Sequence, residues 1–288
     1  MIYLLITVCI WSFAFGLAKN NLTAFDPYAI SCLRLALAAL TFLPWLTKRS
    51  LKFYHIFALM GMGAIQYGLM YCLYMEAAQH LQAYEIALFT FFVPLYIIAF
   101  QDLYSGRISF FNWGMALLAY GGAMVIRYST PLDAHLLKGF FLMQGANLCF
   151  AWGTIAYRSW RQSRPTLKDH QIFGWLFLGA TIFTGVVATV KGDWTSLTTM
   201  NASTGLTLFY LGVVSTGIAF FTWNKGAVAT HPASVAVISQ LKVPLGVLAS
   251  LLFFGEKSDW LRLSIGLTIM LCALYLTESH NRKQLRSI

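Results

Sequence analysis

The chain has 288 residues, of which 58% are apolar and only 10% charged, against roughly 25% charged in an average soluble domain. So few charges cannot cover a soluble surface, and the composition therefore excludes a soluble globular protein and fits one whose surface meets lipid. The net charge of +10 does not point to nucleic acid: no basic stripe interleaves with aromatics, and the Lys and Arg residues fall in short loops and the tail.

A membrane-spanning helix needs about 20 mostly apolar residues. The first such run is 2–19. It lacks a basic leader and a small-residue cleavage site, so it reads as a spanning helix rather than a cleaved signal. The second, 27–46, ends at Lys48, Arg49 and Lys52. The third, fourth and fifth are 54–75, 81–101 and 110–127. The sixth, 138–157, runs into Arg158, Arg161, Arg164 and Lys168. Then come 170–190, 204–223, 233–254 and 260–277, and a tail with Arg282, Lys283 and Arg286. The runs are continuously apolar and longer than the roughly 9–11 residues of a spanning strand. The expected fold is therefore all-α and integral to the membrane, with ten transmembrane helices.

Orientation follows from the basic residues. With the N-terminus in the cytoplasm, the three basic clusters all face inward, and outward loops keep only the scattered Lys19, Arg127, Lys138, Lys191, Lys257 and Arg262. That bias predicts both termini inside. The cysteines (Cys9, Cys32, Cys72, Cys149 and Cys272) sit in apolar runs without metal or disulfide spacing and read as small buried hydrophobes. His80, His135, His170 and His231 lie near loops. No HExxH, Walker A or GxSxG motif occurs, so no metal, cofactor or enzymatic activity is expected.

Aligning Pro94 with Pro244 exposes an internal repeat. Ala83 meets Ala233, Val93 meets Val243, Leu95 meets Leu245 and Ala99 meets Ala249; Trp11 corresponds to Trp152. The halves are 1–131 and 136–288, each of five helices. Five is odd, so the second half inserts upside down. The charges agree: the basic cluster follows the second helix in one half and the first helix in the other. Inverted repeats recur in secondary transporters, with the substrate near the midplane.

Trp11-Ser12 with Phe15, Pro27 with Arg34-Leu35, the Ala-rich junctions into Val93-Pro94-Leu95 and Val243-Pro244-Leu245, and the Gly255-Glu256-Lys257 turn are similar to the drug/metabolite transporter superfamily, in its EamA-type branch. The fourth helix departs from it, ending at Ser105-Gly106-Arg107 instead of an acidic turn. The resemblance spans essentially the whole chain. It implies ten helices, a central cavity lined by helices one to four and six to nine, and transport of amino acids, nucleotide conjugates or other metabolites.

An ionisable group deep in a bilayer costs somewhere between about 2.5 and 17 kcal/mol, so each such residue is a functional candidate. Arg34 and Glu85 lie in the outer third of their helices and can pair, as a structural salt bridge or as a gate. Lys242 sits about 13.5 Å into its helix, near the middle of a core about 30 Å thick. It is placed to meet a carboxylate or phosphate of the substrate, to carry a coupling proton, or simply to face a wet cavity. Glu85 and Phe89 share one helical face; Ser239 and Lys242 share the matching face of the ninth helix, with Gln240 at its edge. Trp11, Phe15, Tyr71, Tyr74, Asn147, Trp152, Trp223 and Asn224 are further candidates for stacking on or hydrogen-bonding a substrate. Pro94 and Pro244 can kink their helices, as hinges or as static bends. Gly114, Gly121 and Gly266 permit close helix contact, within the chain or in a homodimer.

The leading expectation is a secondary carrier of a small polar or zwitterionic metabolite, an amino acid or relative, working in the bilayer of a bacterial inner membrane as a monomer or homodimer. The alternatives are a carrier of organic or phosphorylated anions, prompted by Lys242, and a non-transport intramembrane protein. An intramembrane enzyme would need clustered acids or histidines, and a channel would need a filter motif; the sequence has neither.

Overall fold

The computed structural model describes residues 1–22, 24–47, 51–81, 86, 89–126, 134–242, 244–245 and 260–286. Glu85, Val243, the Gly255-Glu256-Lys257 turn, Lys48, Arg49 and Arg127 lie outside those residues, as does the side chain of Phe15. The described residues are almost wholly helical and include no strand. That is what lipid demands of a chain this apolar, because each backbone amide must find its partner without water.

In chain order the helices are α1 (Ile2–Leu22), α2 (Pro27–Phe42), α3 (Phe53–His80), α4 (Val93–Ser105), α5 (Phe110–Ile126), α6 (Ala134–Gln162), α7 (Asp169–Lys191), α8 (Ala202–Ala229), α9 (Pro232–Ile238) and α10 (Trp260–Arg286). Among the described residues, four stretches are long and apolar enough to cross a membrane: Pro27–Trp45, Phe53–His80, Asp169–Lys191 and Ala202–Ala229. Large apolar side chains stand on the outside, with Phe110 84% and Val190 76% exposed. Such a surface is stable only against lipid. Cys9 and Cys272 lie on it too, against the expectation that all five cysteines are buried.

Local chemistry sets several ends. Asp26 caps α2, its carboxylate accepting from the backbone N–H groups of Tyr28 and Ala29 at 3.0 and 2.8 Å, with Pro27 at the first helical position. Gly106 closes α4 at φ 65°, a left-handed conformation that glycine adopts without strain. Asp102 Oδ2 accepts from Trp113 Nε1 at 2.8 Å and joins α4 to α5. At the far end of α6, Arg161 pairs with Asp169 at 2.9 Å, and Arg158 donates to the carbonyls of Ala227 and Val228 at the C-terminus of α8. A cation there satisfies free carbonyls and opposes the helix dipole.

α7 packs against α2 and α3, α6 against α3 and α4, α9 against α4, and α1 against α8. The tightest approach is between α3 and α7. A Cβ on Gly63 would lie 1.8 Å from Leu176 O, and one on Gly179 would lie 2.1 Å from Met60 O. These glycines, rather than Gly114 and Gly121, let backbones meet; a Cβ at either of the latter would touch nothing within 4 Å. α5 does pack on α10, but through Ala119 and Ala273, which are fully buried together with Val237 of α9.

Several helices depart from ideal geometry mid-span. α3 holds a π-helical stretch at Ala64–Leu69 and α8 another at Leu211–Ile218. A 3-10 turn, Thr90–Phe92, precedes α4. Instead of continuing unbroken through 233–254, the ninth helix tightens after Ile238: the Gln240 and Leu241 N–H groups reach only three residues back, to Val237 and Ile238. Substituting Gly179→Val should force α3 and α7 apart and destabilise the protein by about 1–3 kcal/mol. Thermal unfolding in detergent, with Gly114→Val as the near-neutral control, measures it.

Candidate functional site

The irregular stretches decide where polar groups go. Pro94 has no N–H to return to Thr90 O, the carbonyl four residues back. The Val93 N–H turns to Thr90 O instead, which leaves Phe89 O without its helical partner. Asn147 Nδ2 donates to Phe89 O at 2.7 Å and Gln144 Nε2 at 3.2 Å. Gln240 Nε2 donates to Phe91 O at 3.2 Å and to Thr90 O at 3.4 Å. The π stretch of α8 acts similarly: the Ala219 N–H reaches Val214 O and Thr216 O, passing over Ser215 O, and Trp11 Nε1 donates to Ser215 O at 3.0 Å. Trp11 of α1, Gln144 and Asn147 of α6, and Gln240 just beyond α9 thus complete the backbones of α8 and of the turn before α4.

Around these junctions lies a cavity of about 90 Å3. Its floor is aromatic. Trp11 lies 4.9 Å from Phe220 and 5.7 Å from Phe150, centroid to centroid. Arg34, Tyr71, Tyr74, Asn147 and Lys242 join the wall, with Met70, Thr90, Met143 and Ser215. Ligand pockets are usually roughly 300–1,000 Å3, so the cavity in this structure is smaller than an ordinary ligand site.

Among the described residues, two of the lining groups are cations and none is a carboxylate. Arg34 is 3% exposed. Its Nη2 donates to Tyr71 Oη at 3.0 Å and Thr216 Oγ1 at 3.2 Å, and its guanidinium lies 4.6 Å from the centre of the Tyr71 ring. Lys242 is 7% exposed, with Nζ 5.8 Å from the Phe150 ring centre. Among the described residues neither cation has an acidic partner. The expected Arg34–Glu85 pair involves a residue outside the described ones, and Arg34 has its own neutral partners.

Five expected contacts lie away from the cavity. Asn224 and Trp223 are fully buried, Asn224 exchanging amide hydrogen bonds with Gln66 at 3.0 and 3.2 Å and donating to Tyr67 Oη at 2.8 Å. Trp223 Nε1 donates to Thr154 Oγ1 at 3.0 Å. Ser239 Oγ turns to Ala236 O, and Gln240 is spent on α4. Trp152 is off the face of α6 that carries Met143, Asn147 and Phe150 to the cavity. Phe89 takes part through its carbonyl, while its ring packs on Phe140 at 5.0 Å. Pro94 and Pro244 are buried at the irregular stretches. Phe150 and Phe220 were not singled out in the sequence; each stands three positions from a marked residue, Asn147 or Trp223, and no stronger signal distinguishes them from the other phenylalanines.

Gln66, Tyr67, Thr154, Trp223 and Asn224 form one layer. On α3, α6 and α8 alike it lies about one turn from the cavity residues, on the side of the Arg158–Arg164 loop. Every member is fully buried, so this layer closes the cavity on that side. Asn224→Leu should cost about 1–3 kcal/mol by stranding the buried Gln66 amide, and adding Gln66→Leu should recover part of the loss. A double-mutant cycle by thermal unfolding measures both.

Residues 1–128 and 137–278 match the EamA-like transporter family. A biotin transporter of Salmonella typhimurium is 35% identical over 282 residues, 96% of this chain and 92% of its own length. The biotin transporter of Escherichia coli is 33% identical over 280 residues, with the same coverage. A probable biotin transporter of Pseudomonas aeruginosa is 33% identical over 286 residues, 98% of this chain and 99% of its own. A solved crystal structure, 16% identical, superposes with a TM-score of 0.76 over 95% of both chains, a likeness of fold alone.

Proposed function

The chain belongs to the EamA-like transporter family and is a multi-pass membrane transporter of a small metabolite; we propose that its substrate is biotin, carried by alternating access between two inverted five-helix halves. The relatives just described favour biotin, and none of those three is named for an amino acid. The observation within the site that carries the reading is the pair of cations, Arg34 and Lys242, on a cavity that has no lining carboxylate among the described residues. A charge at that depth is costly, and an anionic ligand offsets the cost. Biotin supplies a carboxylate, apolar rings and chain for the aromatic floor, and a ureido group for polar partners such as Asn147 and the tyrosines.

Three features support the two halves, 1–131 and 136–288, and the count of ten spans. The family matches as two segments. The π stretches of α3 and α8 fall at corresponding positions when Pro94 is set on Pro244, and so do the tightened turns before the two prolines. In this reading both termini are cytoplasmic and the buried layer below the cavity is the inner closure, opened when the irregular stretches of α3, α4, α8 and α9 shift. The protein sits in a bacterial inner membrane.

The test is ligand stabilisation of the purified protein. Biotin at about 100 times its Kd should stabilise it by about 2.7 kcal/mol. Lys242→Ala should remove most of that shift, and amino acids should give none. A shift with phosphorylated compounds alone, prompted by the same cations, would replace biotin with an organic phosphate.

A further inference from the structure

We propose that the cavity reads its ligand at both ends, Lys242 taking a carboxylate and Arg34 taking a single carbonyl oxygen. This rests on the biotin reading and assigns the two specificity-determining residues of that site.

The first observation is a chain of ring contacts. Lys242 Nζ lies 5.8 Å from the Phe150 ring centre, Phe150 6.2 Å from Phe220, Phe220 6.1 Å from Tyr71, and Tyr71 4.6 Å from the Arg34 guanidinium carbon. The cations thus touch different rings of one linked aromatic cluster, Arg34 from α2 and Lys242 from just beyond α9. Such a cluster suits a ligand with an acceptor at each end and an apolar middle. Biotin has that form: a carboxylate at the end of its alkyl chain and a cyclic urea at the other end.

The second observation assigns the ends. A guanidinium grips a carboxylate through two parallel N–H groups, and both available forks, end-on and side-on, include Nη2. In Arg34, Nη2 already donates to Tyr71 Oη and Thr216 Oγ1. Those oxygens are 2.8 Å from each other and hydrogen-bonded together, which holds them on that nitrogen. A fork would have to compete with them for Nη2. Arg34 Nε has no acceptor among the described residues and is left as a single N–H donor. Single donors suit one carbonyl oxygen. Lys242 is a compact charge with three donors and no acceptor among the described residues, and it needs no fork to hold a carboxylate.

The experiment measures competition against labelled biotin on the purified full-length protein, with three ligands: biotin, biotin amide (carboxylate neutralised) and 2-iminobiotin (ureido oxygen replaced by a protonated imino group). The wild type should bind each analogue at least about tenfold more weakly than biotin, the scale of a lost hydrogen bond to a charged group. Lys242→Met should bring biotin and its amide to within about threefold while leaving the iminobiotin penalty in place. Arg34→Gln should do the reverse. Ratios are taken within each variant, so a general loss of affinity does not enter. If Arg34→Gln does not fold, Arg34→Lys keeps the buried charge and should retain both discriminations. Closure of the biotin–amide gap in either Arg34 variant would overturn the assignment, as would ratios that neither substitution moves. Failure of the wild type to bind biotin would overturn the biotin reading and this assignment together, whereas biotin binding with unmoved ratios would overturn the assignment alone.

Discussion

In lipid a backbone carbonyl that loses its helical partner must find a donor from the protein itself, and the centre of this molecule is built around carbonyls placed in that position. Pro94 withholds an N–H from Thr90 O, the turn before it bypasses Phe89 O, and the π stretch of α8 bypasses Ser215 O. Four side chains from other helices answer: Gln240, Asn147, Gln144 and Trp11. Each bond joins two separate elements of the chain. The tie between Gln240 and α4 holds the start of the tightened turn that carries Lys242, and the tie between Trp11 and α8 sets the aromatic floor. The cavity is thus where the regular helices are not, and its walls are the groups that make that irregularity tolerable.

The same medium gives the two cations their meaning. Surface salt bridges such as Lys138–Glu76, 3.7 Å apart with Lys138 largely exposed, contribute at most about 1 kcal/mol. Arg34 and Lys242 are nearly sealed from solvent, and a buried charge without a counter-charge costs several times more. Arg34 is eased by two hydroxyls and the face of Tyr71, Lys242 by the face of Phe150. Those neutral partners lessen the cost; among the described residues none supplies an opposite charge, and the proposed anionic substrate supplies it only while bound. Below the cavity, the Gln66–Asn224–Tyr67 network and the Trp223–Thr154 bond have every amide and hydroxyl engaged. In the proposed cycle that layer would open: hydrogen-bonded groups can exchange partners as helices shift, whereas a wholly apolar plug offers no alternative set.

Much of this was legible in the sequence because polar residues are rare in apolar runs. Trp11, Arg34, Asn147 and Lys242 stand out for that reason, and all four reach the cavity. Asn224 and Trp223 stand out equally, yet face the closed layer. They lie about one turn further along α8 than Phe220, which does line the cavity, and residue type alone does not tell the depth of the cavity from that of the layer beside it. Repeat logic failed for a related reason. Trp11 and Tyr74 line the cavity while their counterparts Trp152 and Asn224 do not, since corresponding positions share backbone geometry and not side-chain chemistry. Phe150 and Phe220 were hidden among 23 phenylalanines, where composition cannot separate a ligand platform from packing. Gly63 and Gly179 were missed because close approach depends on which helices meet, and the sequence does not name neighbours.

The most direct measurement is an experimental structure of the protein with biotin bound. The account predicts ligand density over Phe150 and Phe220, between Arg34 and Lys242, with the cavity widened and the Asn147 and Gln240 bonds to α4 intact. Density confined to the lipid-facing surface, or a biotin seated away from both cations, would contradict it.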